Sequence, residues 1–557
     1  MKSLSKYWRS IPLLALLAFS SCDKYLDEKL YSQQFPGNFY TNAAEAEGAL
    51  LGIISSYSGN FNYQLLNLEE YTTDNVLVDA ARVLKADNNS QFPKKNVRST
   101  NPLVESVYAG LYTSIYNCNA FIDNMERTKW PDNKDAQRPQ FIAEAYTLRA
   151  LAYFKLVRLF GPVPLVIDIK DNTPQGPLAI GRTPVEQVYA QIVSDLKKAK
   201  TLFTQEGPRS PGFASKIMAR LMLAEVYLTM NGEPLKLGPQ YLEAARAEAD
   251  TLINAKAPGI VVPELQDFNY LFSVANENRG EIIFSEQNYG ISTGQVWATG
   301  EFSYGALSFD LIREFDTSGP IDMNNPARQI RGVNPNTTAY DINQYTDPTK
   351  FVDGRFYPTF WPFKGQWNAT TKKLPNFYDV FTYATTPSLY TSQTPNKTVF
   401  PGKFRSDYQY KGGDNAAYPH YDKKANVIIY RWAEAYLIYA EADNELNGPQ
   451  SGAIAAVNKI RHRAALANLP AEQTDSKDHF RDAIRKERRL EFVDEGKRFY
   501  DLKRWGILID KVNAFANEYN AYNPTDPMSL MEKGKHEVFP IPFSEIDRTH
   551  FDQNYGY

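Results

Sequence analysis

The chain has 557 residues, of which 43% are hydrophobic and 22% charged, and its formal net charge is -3. That length supports a large core and more than one structural unit, and the small charge removes the electrostatic case for nucleic acid and makes a neutral or weakly charged ligand the default. Five His, all at or beyond position 420, two Cys, and no HExxH or CxxC give little support to zinc chemistry.

The first element is a targeting segment. Lys2, Lys6 and Arg9 precede the apolar run from Ile11 to Phe19, which is about half the length a helix needs to cross a bilayer. The segment therefore reads as an export signal over 1–21 rather than a span. Two endings are open: cleavage after Ala18-Phe19-Ser20 by a general signal peptidase, or a bacterial lipobox in which Cys22 becomes the first residue and carries lipid. Phe19 stands where the lipobox usually has Leu, but Cys22 lies where that motif needs it, and lipidation of Cys22 is the expectation adopted. Two or more acyl chains, at ~0.8 kcal/mol per buried methylene, anchor a protein stably. The other cysteine, Cys118, sits in the helical stretch SVYAGLYTSIYNCNAF and reads as a buried thiol.

A polar tether over 22–40 leads to a body over 41–557. Its periodicity predicts helices at 41–58, 103–127, 138–160, 184–203, 214–230 and 241–255. Pro184 behind Thr183 suits a first helical turn, and Gly161 and Gly232 stand where helices end. From 256 to 425 Pro, Gly, Asn, Thr and Tyr dominate, with short β-like pieces such as EIIFSEQ, so this region is loop-rich and depends on a scaffold. Helices return at 426–448, 452–466 and 479–505, completing a scaffold of 41–255 and 426–506, and a C-terminal segment covers 507–557. LMLAEVYLTMNG (221–232) and LIYAEADNELNG (437–448) share one register, each leads into an alanine-rich helix, and RALAYFKLVRLFG (149–161) ends similarly. The fold class expected is mostly α, a tetratricopeptide-like scaffold of helix pairs with a large loop-rich insertion.

Within 479–505, Glu487, Glu491 and Glu495 recur every four residues, a like-charge spacing that disfavours an isolated helix. Pairing to arginines such as Arg431 or Arg461 relieves it. The alternative, a catalytic carboxylate pair acting on glycosidic bonds, fits less well, because the row has the spacing of a structural helix face.

Three stretches carry a resemblance: IRKERRLEFVDEGKRFYDLKRWG (484–506), VIIYRWAEAYLIYAEADNELNG with VNKIRHRAAL (427–466), and VFPIPFSEIDRTHFDQNYGY (538–557). With SSCDKYLDE near the start, they resemble the SusD/RagB family of outer-membrane nutrient-binding lipoproteins. The resemblance implies a helical body with four tetratricopeptide-like pairs and a variable loop-rich ligand surface. It also implies a lipid anchor on the outer leaflet, a SusC-like TonB-dependent transporter as partner, oligosaccharide or peptide as cargo, no nucleic acid and no enzymatic activity.

A sugar ring has an apolar face and a rim of hydroxyls, so its site needs flat aromatics beside carboxylate, amide or guanidinium groups. Three segments hold that mix. Residues 64–82 offer Tyr71, Asp74, Asn75 and Arg82; residues 286–305 offer Asn288, Tyr289, Trp297 and Tyr304; residues 353–368 offer Arg355, Trp361, Trp367 and Asn368. The ligand-binding residues expected are Asp74, Asn75, Trp297, Tyr304, Arg355 and Trp367, with Trp297 and Tyr304 as stacking platforms. Asp74 also suits a turn cap, and Trp361, Trp432 and Trp505 read as packing. No cofactor is expected. A structural calcium is left open by the acidic or amide-rich DNELNG and ADNNS, neither of which has EF-hand spacing.

Overall fold

The structure, a computed structural model, describes residues 40–57, 65, 68–78, 87–168 without 129 and 131–134, 180–287 without 267 and 273–275, 305–315, 353–355, 359–361, 400, 401, 403, and 426–557 without 523, 525 and 526. The principal helices are α1 (Ala43–Tyr57), α2 (Pro102–Arg127), α3 (Arg138–Phe160), α4 (Val185–Leu202), α5 (Lys216–Asn231), α6 (Pro239–Ile253), α7 (Trp432–Asn447), α8 (Ser451–Arg463), α9 (Lys477–Glu491), α10 (Arg498–Arg504), α11 (Leu508–Tyr522) and α12 (Phe543–Thr549).

These helices stack in chain order. α1 packs on α2, α2 on α3, α3 on α4, and so on through α8, with α6 meeting α7 across the whole loop-rich insertion. The shared register found in the sequence marks the inner helix of three successive pairs: α3 with α4, α5 with α6, α7 with α8. The inner helices are buried all round, as α3 is from Gln140 to Phe160, because alanines at 143, 145, 150 and 152 let neighbours approach on several faces. Their partners are amphipathic. α4 buries Val188, Tyr189, Ile192, Leu196 and Ala199, one stripe at helical spacing. This is the mostly α, helix-pair fold expected. Starts are set by local chemistry: Asn101 accepts from Leu103 N (2.9 Å) ahead of Pro102, and Ser215 and Ser476 accept from Met218 N and His479 N (3.1 and 3.2 Å).

Helix α3 is finished by distant chain. Its last four carbonyls lack partners within the helix. Val157 O accepts from Gly161 N (3.1 Å), Arg158 O from Lys503 Nζ (2.6 Å), Leu159 O from Phe539 N (2.7 Å), and Phe160 O from Asn554 Nδ2 (3.0 Å).

Two predicted helices are corrected. Residues 427–431 of the expected 426–448 helix form a strand, since VIIYR is rich in β-branched and aromatic residues. The expected helix 479–505 is broken after Glu491: Asp494 and Gly496 adopt φ of 62° and 67° before α10 begins, and Gly496 is the residue that makes such a break accessible. The strands are β1 (Val76–Val78), β2 (Ile282–Glu286), β3 (Gly305–Leu307), β4 (Phe360–Trp361), β5 (Phe400–Pro401) and β6 (Val427–Arg431). They pair antiparallel as β1–β3, β2–β6 and β4–β5. Cys118 is fully buried and unpaired by disulfide, and burial pushes its thiol up to about 12. Trp432 is buried and the half-buried Trp505 donates Nε1 to Glu441 (2.7 Å), so both pack in the frame as expected.

Candidate ligand-binding site

Helix α9 roots two of the three ligand-bearing segments of the sequence, 64–82 and 353–368. Its Glu487 and Glu491 share one face, and Glu495 follows in the break. Glu491 accepts from Arg431 (2.5 Å), from Arg463 and from Arg355 (3.3 Å). Glu487 accepts from Arg355 (2.5 Å) and Arg461 (3.3 Å), and Glu495 from Arg431 (2.8 Å) and Lys403 (2.7 Å). Asp353 adds a two-bond contact to Arg355 (2.9 and 2.6 Å), and Glu281 bridges Arg431 and Arg463 (3.2 Å each). The pairing expected between this row and Arg431 or Arg461 is therefore present. The cluster holds as many carboxylates as cations, and that balance is what allows such charge to leave water. Burial works against the Glu491 carboxylate, but Arg463, Arg431 and Arg355 overcome it and hold its pKa well below the ordinary range.

Arg489, midway between Glu487 and Glu491 in sequence, holds the first segment. Its Nε donates to Asn75 Oδ1 (2.9 Å), and its terminal nitrogens reach Asp74 (3.2 Å), Asp310 (2.9 Å) and Glu314 (2.7 Å). Arg498 grips Asp74 with two bonds (2.9 and 2.7 Å). Asn75 Nδ2 donates to Glu70 (2.7 Å), Lys95 Nζ donates to Tyr71 O and Thr73 O (3.0 and 2.9 Å), and Ser308 donates to the carbonyls of Asn75 and Asp74 (2.7 Å each). Burial disfavours the Asp74 anion, yet Arg489 and Arg498 hold its pKa well below normal. For Glu70 burial wins over the Asn75 hydrogen bond and raises the pKa to about 7.

Asp74, Asn75 and Arg355, expected to touch ligand directly, are thus 1%, 1% and 0% exposed, with their polar atoms bonded to protein. Nor do they share a cleft. Arg489 lies about 200° around the helix from Glu487 and Glu491, so Asp74 and Asn75 are held on one side of α9 and Arg355 on the other. Their hydrogen-bonding capacity fixes the roots of two segments. The third segment is tied at both ends: Glu286 lies in β2 against β6, and Gly305, next after Tyr304, pairs with Val78 just beyond Asp74 and Asn75. Trp297, Tyr304, Trp367, Arg82, Asn288, Tyr289 and Asn368 lie outside the described residues, as does Cys22; Tyr71 is buried and Trp361 is in β4.

The Glu487, Glu491 and Glu495 carboxylates are taken up by Arg355, Arg461, Arg431, Arg463 and Lys403 within the protein rather than presented to a cleft, so the row has the surroundings of a structural cluster and not of an acid pair flanking a glycosidic bond. Among the described residues no cluster of His, Cys, Asp and Glu is placed to hold a metal, and the acids of DNELNG are engaged: Asp443 with Arg246 (2.7 Å) and Glu445 with Arg481. Sequence reasoning missed a second buried set, Arg488 and Arg504 with Asp501 and Glu441. Its signal was the density of charge in KRFYDLKRW next to aromatics. Lys403 carried no such signal.

Residues 204–557 match the model of the SusD family, and residues 24–228 match a model described as "Starch-binding associating with outer membrane". The chain belongs to the SusD family. It is 25% identical to SusD-like protein P25 of Formosa agariphila over 97% of this chain and 96% of the relative. It is 23% identical to the starch-binding protein SusD of Bacteroides thetaiotaomicron, over 99% and 100% of the two chains. A crystal structure of a SusD homolog from Bacteroides thetaiotaomicron superposes with a TM-score of 0.70 at 25% identity, covering 94% of this chain and 98% of that one. In this SusD-family chain the frame is the helix-pair stack, with α9 at its charged centre.

Proposed function

We propose that this protein captures oligosaccharide at the cell surface on the face built from residues 64–82, 286–305 and 353–368, and passes it to a TonB-dependent transporter while a lipid on Cys22 holds it at the outer membrane. The observation that carries this reading is the anchoring of all three segments to one frame: 64–82 and 353–368 are held by α9, and 286–305 is tied by Glu286 in β2 to β6 and by Gly305 to Val78. Each segment carries aromatics and polar groups suited to sugar. Family membership and the starch-binding relative support the glycan class. In this reading Trp297 and Tyr304 stack on sugar, Trp367 adds a third ring, and Asp74, Asn75 and Arg355 set the segments in place from beneath.

Affinity electrophoresis against neutral and acidic polysaccharides, with a peptide mixture as competitor, tests it. Retardation by one polymer, weakened about tenfold in Trp297→Ala, is the expected result. Competition by peptide with no polymer retarding the protein reassigns the cargo, and new reducing ends after incubation with oligosaccharide contradict capture without hydrolysis. Co-purification of the membrane-bound protein with a large outer-membrane β-barrel tests the partner.

A further inference from the structure

Helix α2 carries an aromatic feature that none of these segments includes. Tyr108, Tyr112 and Tyr116 recur every four residues and so lie on one stripe of the helix. They form one side of a groove of about 380 Å³, closed on the other side by Pro164 after α3 and by Glu545 and Arg548 of α12. That volume suits a small ligand.

The rings are held in place before any ligand arrives. Tyr108 meets Phe160 edge-on (5.1 Å, 87°) and lies 5.0 Å from Tyr112, whose hydroxyl donates to Pro164 O (2.8 Å). Tyr116, one turn further along, is 46% exposed, and Ile167 and Phe543, each adjacent in sequence to a lining residue, are exposed as well. Large exposed apolar side chains around a concavity are a feature of contact sites. Burial, with the Glu545 carboxylate adding to it, pushes the Tyr108 hydroxyl well above its usual pKa, so it stays neutral. The charged groups at the groove are Glu105, Glu545 and Arg548, the last two paired at 2.7 Å. Their near balance favours neither anion nor cation, whereas carboxylate acceptors and guanidinium donors beside ring faces match a neutral polyhydroxylated ligand.

We propose that this groove is a second carbohydrate site, taking one or two rings of a neutral oligosaccharide with Tyr116 as the stacking face. It rests on the glycan-capture reading and deepens it: among the described residues the groove is lined by α2, the exit of α3 and the α12 region, and none of that lining comes from 256–425, so one polymer is gripped at two places and gains avidity from the second.

The test compares the full chain with Tyr116→Ala and with Ala109→Trp, which fills the groove from an exposed lining position without removing core packing. The gels contain soluble starch, laminarin, xylan or alginate, and the retarding polymer is followed by calorimetric titration with its short oligosaccharide. Both variants are expected to melt like the parent, to bind the polymer about three- to tenfold more weakly, and to show one oligosaccharide site fewer. Parent-like affinity and stoichiometry in both variants overturn the second site and leave the capture reading standing. Absence of retardation for the parent by every polymer overturns both.

Discussion

Helices α7 and α9 pack against each other and are both buried, by different balances of apolar and ionic contact. α7 sinks into the frame mainly through Ala433, Ala435, Leu437, Ile438, Ala440 and Ala442, small and aliphatic side chains whose burial is non-directional, with Glu434, Glu441 and Asp443 paired to Lys497, Arg504 and Arg246. α9 buries Glu487, Arg488, Arg489 and Glu491, and each needs a partner at hydrogen-bond distance, supplied from residues as far apart as 74, 355, 431 and 501. Apolar burial assembles the stack from neighbours. Ionic burial registers where distant segments must arrive.

The contrast breaks or sharpens under three substitutions. Arg355→Ala leaves Asp353, Glu487 and Glu491 without a shared cation, and urea denaturation is expected to show a loss of about 3–5 kcal/mol; a loss below about 1 kcal/mol would mean that the ionic centre is not structural. Gly232→Ala probes where the two regions touch. Its φ of -81° suits any residue, but an added Cβ would sit 2.5 Å from Arg504 O, so a loss of about 1–3 kcal/mol is expected from crowding, and a neutral result would show that α10 yields there. Glu70→Gln is the smallest effect. Because the folded pKa of Glu70 is raised from 4.5 to about 7, the stability tied to it is complete below its ordinary pKa and is lost as pH rises through about 7. The melting temperature of Glu70→Gln relative to the parent should therefore climb by a few degrees from pH 5 to 7.5. A gap independent of pH would contradict this assignment.

The stack was legible because helical period and small residues announce it locally, and the shared register of 221–232 and 437–448 marked inner helices that the structure places alike. Even there the final glycines differ: Gly448 has a φ of 75°, while Gly232 is needed for closeness to Arg504. The arginine partners of Glu487 and Glu491 were legible because an unrelieved like-charge row demands them. Asp74 and Arg355 were read as ligand contacts because sequence gives a side chain's type and not its partner, and the partner of Asp74 is Arg498, 424 positions away. The strand at 427–431 was lost to a helical pattern that begins directly after it, and its mate lies at 282–286.

The capping of α3 by Lys503, Phe539 and Asn554 has a practical consequence. A ribosome that stops short of position 554 releases a polypeptide in which Phe160 O keeps only its long bond from Arg182 (3.4 Å), and Arg182 in turn loses its own partner Asn554. Clipping within the final fifteen residues should thus be felt nearly 400 positions upstream, and a purification handle replacing them would loosen a helix that it never touches in sequence.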